Sequence, residues 1–153
     1  MKLRKYIKTD NEPLVKMFYD TVHTVNARDY TAAQLDAWAP RSIDADKWCA
    51  GFSNSYTLIA VESDKIVGFA NLTDEGYLDR LYVHKDHQRM GIAQRLSDAL
   101  EAYARNNGIE ELFSDVSITA KPFFTKQGYI TVKENSVERA RQRLVNYTMK
   151  KIL

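Results

Sequence analysis

Apolar and polar positions in the first third of the chain predict one short strand followed by helices. The strand covers residues 3–7. Asp10 is predicted to cap a first helix, because the residues after it recur at helical spacing: Leu14, Met17, Phe18, Thr21 and Val22. A second helix is expected to begin at the Thr31 cap and to end before Pro40, and residues 44–52 are predicted to form a third, short helix.

From Tyr56 onward the hydrophobic period changes to two, which predicts β-strands. Runs at 56–61 and 66–72 flank a polar turn, as in a hairpin, and a third strand covers 77–83. An amphipathic helix follows, with one apolar stripe: Ile92, Leu96, Ala99, Leu100 and Tyr103. A strand at 112–116, a short helix at 120–126 and two closing strands near 129–134 and 144–152 complete the chain. This order predicts an α/β (α+β) fold, a mixed sheet covered by helices, in a single domain over residues 1–153.

The most specific pattern lies where the third strand meets the long helix. The segment Gln88-Arg89-Met90-Gly91-Ile92-Ala93 connects them. A strand, a polar turn, a glycine and a helix start direct free backbone N–H groups and a positive helix end at one point, which suits a phosphate. The spacing Gln-x-x-Gly-x-Ala is neither the G-x-G-x-x-G fingerprint nor the G-x-x-x-x-G-K-[ST] loop.

This segment resembles the acyl-CoA pyrophosphate loop, [Gln/Arg]-x-x-Gly-x-[Gly/Ala], of the GNAT superfamily of N-acetyltransferases. A second signature supports the resemblance, since residues 120–129 are similar to the family pattern Ala-x-x-Phe-Tyr-x-Lys-x-Gly-[Phe/Tyr]. Residues 146–151 look like the last strand of the family. The resemblance implies a mostly antiparallel sheet of six to seven strands with helices on both faces.

The resemblance also implies acetyl-CoA as co-substrate. Backbone N–H groups of the loop would hold the pyrophosphate, and the Arg89 side chain could add a contact to a phosphate oxygen. The strand edge would pair with the pantetheine arm, and Ser117 takes the place of a family asparagine that contacts it. The expected cofactor residues are therefore Leu81, Tyr82, Val83, Gln88, Arg89, Met90, Gly91, Ile92, Ala93, Ser117 and Phe124.

The implied reaction is direct attack of a primary amine, of a small molecule or a peptide, on the thioester. An amine of pKa about 10 is only about one part in a thousand neutral at pH 7, a penalty of roughly 4 kcal/mol, whereas the thiol costs only about 2 kcal/mol as a leaving thiolate. A base should therefore matter more than an acid. Asp79, on the strand that borders the cleft, and His23, near the end of the first helix, are the candidates.

The acid position departs from the family pattern. Phe124 stands where many members have a tyrosine hydroxyl beside the leaving sulfur. Either the thiolate leaves unassisted, or another hydroxyl substitutes, with Tyr129 and Tyr147 as candidates. The departure also keeps open an alternative function, a non-catalytic module that senses or holds acyl-CoA.

Composition excludes other classes of protein. A formal charge of +2 is too mild to predict nucleic-acid binding, and no apolar run is long enough to predict membrane insertion. The single cysteine, Cys49, forms no intramolecular disulfide, which fits a cytoplasmic protein. His84 and His87 lie three residues apart without further ligands, so no metal is expected. A homodimer is left open.

Overall fold

Seven strands and five α-helices form the structure, a computed structural model that describes residues 1–153. The strands are β1 (Lys2–Lys5), β2 (Tyr56–Glu62), β3 (Lys65–Leu72), β4 (Leu78–Val83), β5 (Glu111–Ser117), β6 (Ile130–Arg139) and β7 (Gln142–Ile152). The helices are α1 (Asn11–Thr24), α2 (Ala32–Trp38), α3 (Ala45–Trp48), α4 (Ile92–Asn106) and α5 (Lys121–Lys126). The predicted fold class is confirmed, including its mostly antiparallel pairing.

The helix caps agree with the sequence at α2 but not at α1. Thr31 and Gln34 form a reciprocal capping box, in which each side chain accepts a hydrogen bond from the backbone N–H of the other. Asp10 precedes α1 but makes no capping bond. Its carboxylate instead accepts hydrogen bonds from both terminal nitrogens of Arg4, at 2.9 Å each, and from the N–H of Ile7. The buried Asp10 therefore ties α1 to β1.

The strands divide into two antiparallel sheets rather than the one sheet predicted. The first has the order β1-β2-β3-β4 and the second the order β5-β7-β6. A single parallel bridge, between Tyr77 and Phe113, joins them, and the N–H of Phe113 donates to the carbonyl of Gly76 at 3.0 Å. A side chain at Gly76 would collide with the carbonyl oxygen of Glu111, and its φ is +93°. Beyond this bridge β4 and β5 belong to different sheets and do not pair, and the gap between them is called the wedge below.

Helices cover both faces of the first sheet. Leu58, Ala60 and Ala70 pack with α4 on one face. The alternate residues Ile59 and Phe69 pack with α1 and α3 on the other face. Successive strand residues point to opposite faces, so the period of two seen in the sequence builds two hydrophobic layers. The position of α4 brings its N-terminus beside the end of β4.

The last hairpin is longer than the sequence predicted. β6 and β7 pair from Ile130 to Arg139, around a two-residue turn at Ala140 and Arg141 in which both φ angles are positive. β6 is an edge strand with mostly exposed, polar side chains, so it lacks the apolar alternation that identifies a strand. Hydrogen bonding to β7, not burial, decides its length.

Candidate active site

Two cavities approach the wedge between β4 and β5 from different sides. The loop cavity, of about 590 Å³, lies between β4, α5, the start of α4 and the turn after α1. The hairpin cavity, of about 920 Å³, lies between β4, the aromatic residues of α1 to α3 and the β6–β7 hairpin. Tyr82 and Ser117 line both cavities. The two cavities therefore meet where the sheets separate.

The loop cavity contains a set of backbone N–H groups without helical partners. Gly91 precedes α4 with a φ of +81°, a left-handed conformation that favours glycine. The first bond of the helix runs from the N–H of Arg95 to the carbonyl of Gly91, at 3.1 Å. The N–H groups of Ile92, Ala93 and Gln94 thus point out of the helix, at its positive end. A Cβ added to Gly91 would meet nothing within 4 Å, so the space beside this glycine is open.

Ten of the eleven predicted cofactor residues line the loop cavity. The exception is Met90, whose side chain is 63% exposed and lines neither cavity. The ten are Leu81, Tyr82, Val83, Gln88, Arg89, Gly91, Ile92, Ala93, Ser117 and Phe124. The signature segments, separated in the sequence, are therefore brought together around one cavity.

Sequence reasoning missed Thr21 and Arg28, two polar residues of this cavity. Arg28, in the turn after α1, lines it beside Asp29, to which its Nε donates at 3.3 Å. The Oγ1 of Thr21 and the Nε2 of Gln88 both donate to the carbonyl of Val83, at 3.1 and 2.7 Å. Thr21 and Arg28 come from α1 and the turn after it, and no local pattern in the sequence identifies them as cavity residues.

One edge of β4 pairs with β3, and the other edge is free and faces the loop cavity. The N–H of His84 donates to the carbonyl of Val67 on β3, at 2.8 Å. Peptide groups alternate in direction along an antiparallel strand, so the N–H of Val83 points away from β3. The Val83 carbonyl is already bonded, which leaves this N–H, and that of Leu81, as the edge donors.

Asp79 lies in the hairpin cavity, and a β-bulge puts it there. The pairing between β3 and β4 shifts at this point, with Asn71 opposite Arg80 but Leu72 opposite Leu78. Asp79 is the extra residue, and its carboxylate is exposed to the cavity. Bulges redirect a side chain and are common next to active sites.

A second carboxylate, Asp115 on β5, lines the same cavity. Its Oδ2 accepts from the Tyr77 hydroxyl at 3.2 Å, and its Oδ1 accepts from the Thr148 hydroxyl at 2.7 Å. Burial raises the pKa of Tyr77, and the charges of Asp115 and Asp79 raise it further, so this hydroxyl stays protonated at neutral pH. The strand of Asp115 also contains Glu111, Ser114 and Ser117, so no local signal distinguishes this acid in the sequence.

Aromatic side chains form the wall opposite these acids. Both tryptophans line the hairpin cavity, together with Phe18, Tyr30 and Tyr82. The Arg80 guanidinium lies over the Trp48 ring, 3.8 Å from its centre, and donates to the Trp48 carbonyl at 2.8 Å. This cation–π contact fixes the position of Trp48 in the wall.

Three of the predicted catalytic residues line neither of the two cavities. The Nε2 of His23 contacts the Ala39 carbonyl at 2.8 Å, and its ring stacks on Tyr19, so it is held by packing. Tyr129 is 3% exposed and packs against Phe124, because it belongs to the core under α4. The ring of Tyr147 lies under the Lys121 ammonium, 4.0 Å away, on the opposite face of β7 from Thr148.

Comparisons with known proteins agree with this geometry. The family model "Acetyltransferase (GNAT) domain" matches residues 26–151. The chain is 33% identical over 138 residues to the Uncharacterized N-acetyltransferase YafP of Escherichia coli (strain K12), over 90% of this chain and 87% of that protein. The chain therefore belongs to the GNAT acetyltransferase family, as its two signatures indicated, and the protein is an N-acetyltransferase of that family.

Solved structures show the same fold. The GCN5-related N-acetyltransferase "Aminotransferase, Class-II" from Rhodopseudomonas palustris is 36% identical, with a TM-score of 0.94, over 99% of this chain and 95% of that one. The PaiA N-acetyltransferase from Thermoplasma acidophilum, solved in complex with coenzyme A, is 19% identical, with a TM-score of 0.79, over 99% and 98% of the two chains. The fold is thus shared with a protein that is only 19% identical in sequence.

Two further findings concern metals and membranes. No group of three or more His, Cys, Asp and Glu side chains is arranged to hold a metal ion. His84 and His87 approach each other, with their Nδ1 atoms 3.3 Å apart, and burial lowers the pKa of His84. None of the helices combines the length and apolar character that crossing a membrane requires.

Proposed function

We propose that the protein, as a single acetyltransferase domain, transfers an acetyl group from acetyl-CoA to a primary amine of a small molecule or peptide, by direct attack in the wedge. The observation that carries this proposal is the meeting of the two cavities at Tyr82 and Ser117. One cavity offers unpartnered N–H groups to a phosphate, and the other offers carboxylates to an ammonium. The two substrates would therefore meet at the point where the strands diverge.

The residues of the loop cavity fit coenzyme A. The open space in front of Gly91 and the free N–H groups of Ile92 to Gln94 suit the pyrophosphate, and Arg28 and Arg89 lie at the same cavity. The free edge of β4 suits the amide groups of the pantetheine arm. Bound acetyl-CoA would supply an activated acyl group, whose C–S bond is exchanged for a C–N bond as the sulfur leaves with its electron pair.

Asp79 is the proposed base. Its carboxylate would take the proton of the bound ammonium, which frees the lone pair of the nitrogen for attack. Offsetting the roughly 4 kcal/mol needed to deprotonate an amine at pH 7 is the largest single task of this site. Asp115 would attract the same ammonium, but it already accepts two hydrogen bonds, and the carboxylate of Asp79 is the freer acceptor.

Phe124, at the position of the family tyrosine, has no hydroxyl that could protonate the leaving sulfur. The Phe124 ring is buried against Tyr129, and the candidates Tyr129 and Tyr147 line neither cavity. Tyr82 and Ser117, which line both cavities, also carry hydroxyls. The Ser117 hydroxyl already accepts from the N–H of Ala120 at 3.1 Å, and burial raises the pKa of Tyr82, which makes it a weaker acid. One of the two edge N–H groups, of Leu81 or Val83, would stabilise the negative charge on the carbonyl oxygen, and the other would bind the pantetheine arm. We therefore propose that the thiolate leaves without a dedicated acid.

Release of the free CoA thiol from acetyl-CoA with a panel of primary amines tests this function. Asp79→Asn should lower kcat by roughly 10²- to 10⁴-fold and leave the affinity for CoA unchanged. Asp64→Asn, at an exposed position of the β2–β3 turn that lines neither cavity, is the control and should keep full activity. Full turnover in Asp79→Asn would contradict the role of Asp79 as the base. If the wild-type protein binds CoA but transfers acetyl to no amine, the result would instead favour an acyl-CoA-binding module.

A further inference from the structure

The buried side chain of Asn71 contacts both the bulge in β4 and the carboxylate of Asp79. Asn71 is 1% exposed and lines neither cavity. Its Oδ1 accepts from the backbone N–H of Arg80 at 3.1 Å, and its Nδ2 lies 3.4 Å from the Oδ2 of Asp79. The amide thus replaces a strand hydrogen bond that the bulge breaks, and at the same time reaches the acid.

The orientation of this amide follows from its partners. A backbone N–H can only donate, so the oxygen of the amide must face Arg80, and the NH2 group must face Asp79. The second acceptor of the NH2 group is the Ser55 hydroxyl, at 3.1 Å. The two donors of Asn71 are therefore directed at Asp79 and Ser55, and its acceptor at the bulge.

Ser55 connects Asn71 to the buried residues that pack against Trp48. Its hydroxyl lies 3.1 Å from that of Thr57, which donates to the carbonyl of Phe52 at 2.8 Å. Phe52 is almost completely buried, and its ring packs edge-on against Trp48 in the cavity wall. Movement of the Asn71 amide would leave buried polar groups unpaired, which is costly.

We propose that Asn71 is a positioning residue, which holds the Asp79 carboxylate toward the wedge. Its NH2 group donates to that carboxylate, and its oxygen accepts from the N–H of Arg80 at the bulge. Asp79 itself is too exposed to be fixed by packing. A displacement of about 1 Å of a catalytic group can reduce a rate by about a hundredfold, so a donor that removes rotational freedom from the carboxylate matters for kcat. The proposal depends on the function proposed above for Asp79.

Steady-state kinetics of two Asn71 variants tests the proposal. Asn71→Leu removes the donor and the acceptor at similar volume, whereas Asn71→Asp keeps an acceptor for Arg80 and, when ionised, has no donor for Asp79. Both should lower kcat by roughly 10- to 100-fold, with the KM for acetyl-CoA unchanged. Asn11→Leu is the matched control, since Asn11 is also buried and hydrogen-bonded but lines neither cavity.

The same substitutions in the Asp79→Asn background separate positioning from a merely structural role. A residue that acts through Asp79 should lower kcat little further once that carboxylate is absent, so the two losses should not multiply. Full kcat in both Asn71 variants, or multiplied losses, would overturn the role of Asn71 while the base remains supported by Asp79→Asn. An active Asp79→Asn enzyme would overturn both proposals. Thermal unfolding identifies folded variants, and if Asn71→Leu unfolds, Asn71→Asp carries the test.

Discussion

Substitution of Gly91 by glutamate should abolish CoA binding while the protein stays folded. At a φ of +81°, any L side chain costs about 1–2 kcal/mol. No atom lies within 4 Å of the added Cβ, so no steric cost is expected. The new carboxylate sits at a positive helix end, which returns about 0.3–1 kcal/mol. The net loss of stability is about 1 kcal/mol, or a decrease in Tm of roughly 2–4 °C for a chain of this size.

The effect on CoA binding should be much larger than the effect on stability. The new carboxylate would enter the open space at Gly91, where we propose that the pyrophosphate binds. Two like charges about 4 Å apart near a protein surface repel by about 4 kcal/mol. That energy corresponds to about a thousandfold in affinity, so we expect a loss of at least ~100-fold.

Thermal unfolding with and without CoA measures both effects. At a CoA concentration of roughly 100 times the wild-type Kd, the wild type should gain about 2.7 kcal/mol, whereas a variant 100-fold weaker should gain only about 0.4 kcal/mol. Gly108→Glu is the control, since Gly108 has a φ of +73° and open space at the other end of α4. There the charge lies at the negative helix end, so it should cost more stability but leave the CoA shift intact. An equal CoA shift in both variants would refute the assignment of the phosphate site.

Three further predictions concern stability and reactivity. Gly76→Ala should destabilise the protein by about 3 kcal/mol or more, because its Cβ collides with the Glu111 carbonyl where the sheets join. Denaturant unfolding measures this loss, and wild-type stability would contradict the close approach of the two sheets at Gly76. Burial alone would raise the pKa of Asp10, but the hydrogen bonds from Arg4 and from a backbone N–H lower it. The carboxylate therefore stabilises the fold above about pH 4, its unfolded pKa, and loses this effect as pH falls. Asp10→Asn should lower the unfolding free energy at pH 7 but not near pH 2. An equal loss at both pH values would contradict the lowered pKa of Asp10 in the folded protein. Burial raises the pKa of Cys49 to about 11, so a disulfide reagent at pH 8 should label it only after unfolding, and rapid labelling of the native protein would contradict its burial.

Local patterns predicted the phosphate loop, while contacts between distant segments formed the rest of the site. The Gly91 loop is contiguous in the chain, and its free N–H groups follow from the start of a helix, whatever packs around it. Asp115 and Asn71 could not be selected in this way, because the register of β5 and β3 against their neighbours puts Asp115 in the hairpin cavity and Asn71 beside Asp79. His23 has a suitable side chain for a base, but its direction is decided by the packing of α1 against α2.

The sequence by itself determined the family, the order of strands and helices, and the segment that suits a pyrophosphate. These depend on neighbours within one or two turns, whose backbone angles and hydrogen bonds are set locally. Only the tertiary structure decided that the sheet divides, that the two cavities meet at Tyr82 and Ser117, and that Asp79 leaves the strand in a bulge. Those features depend on pairs such as Tyr77 with Phe113, which are far apart in the chain and become neighbours only when the two sheets join at Gly76.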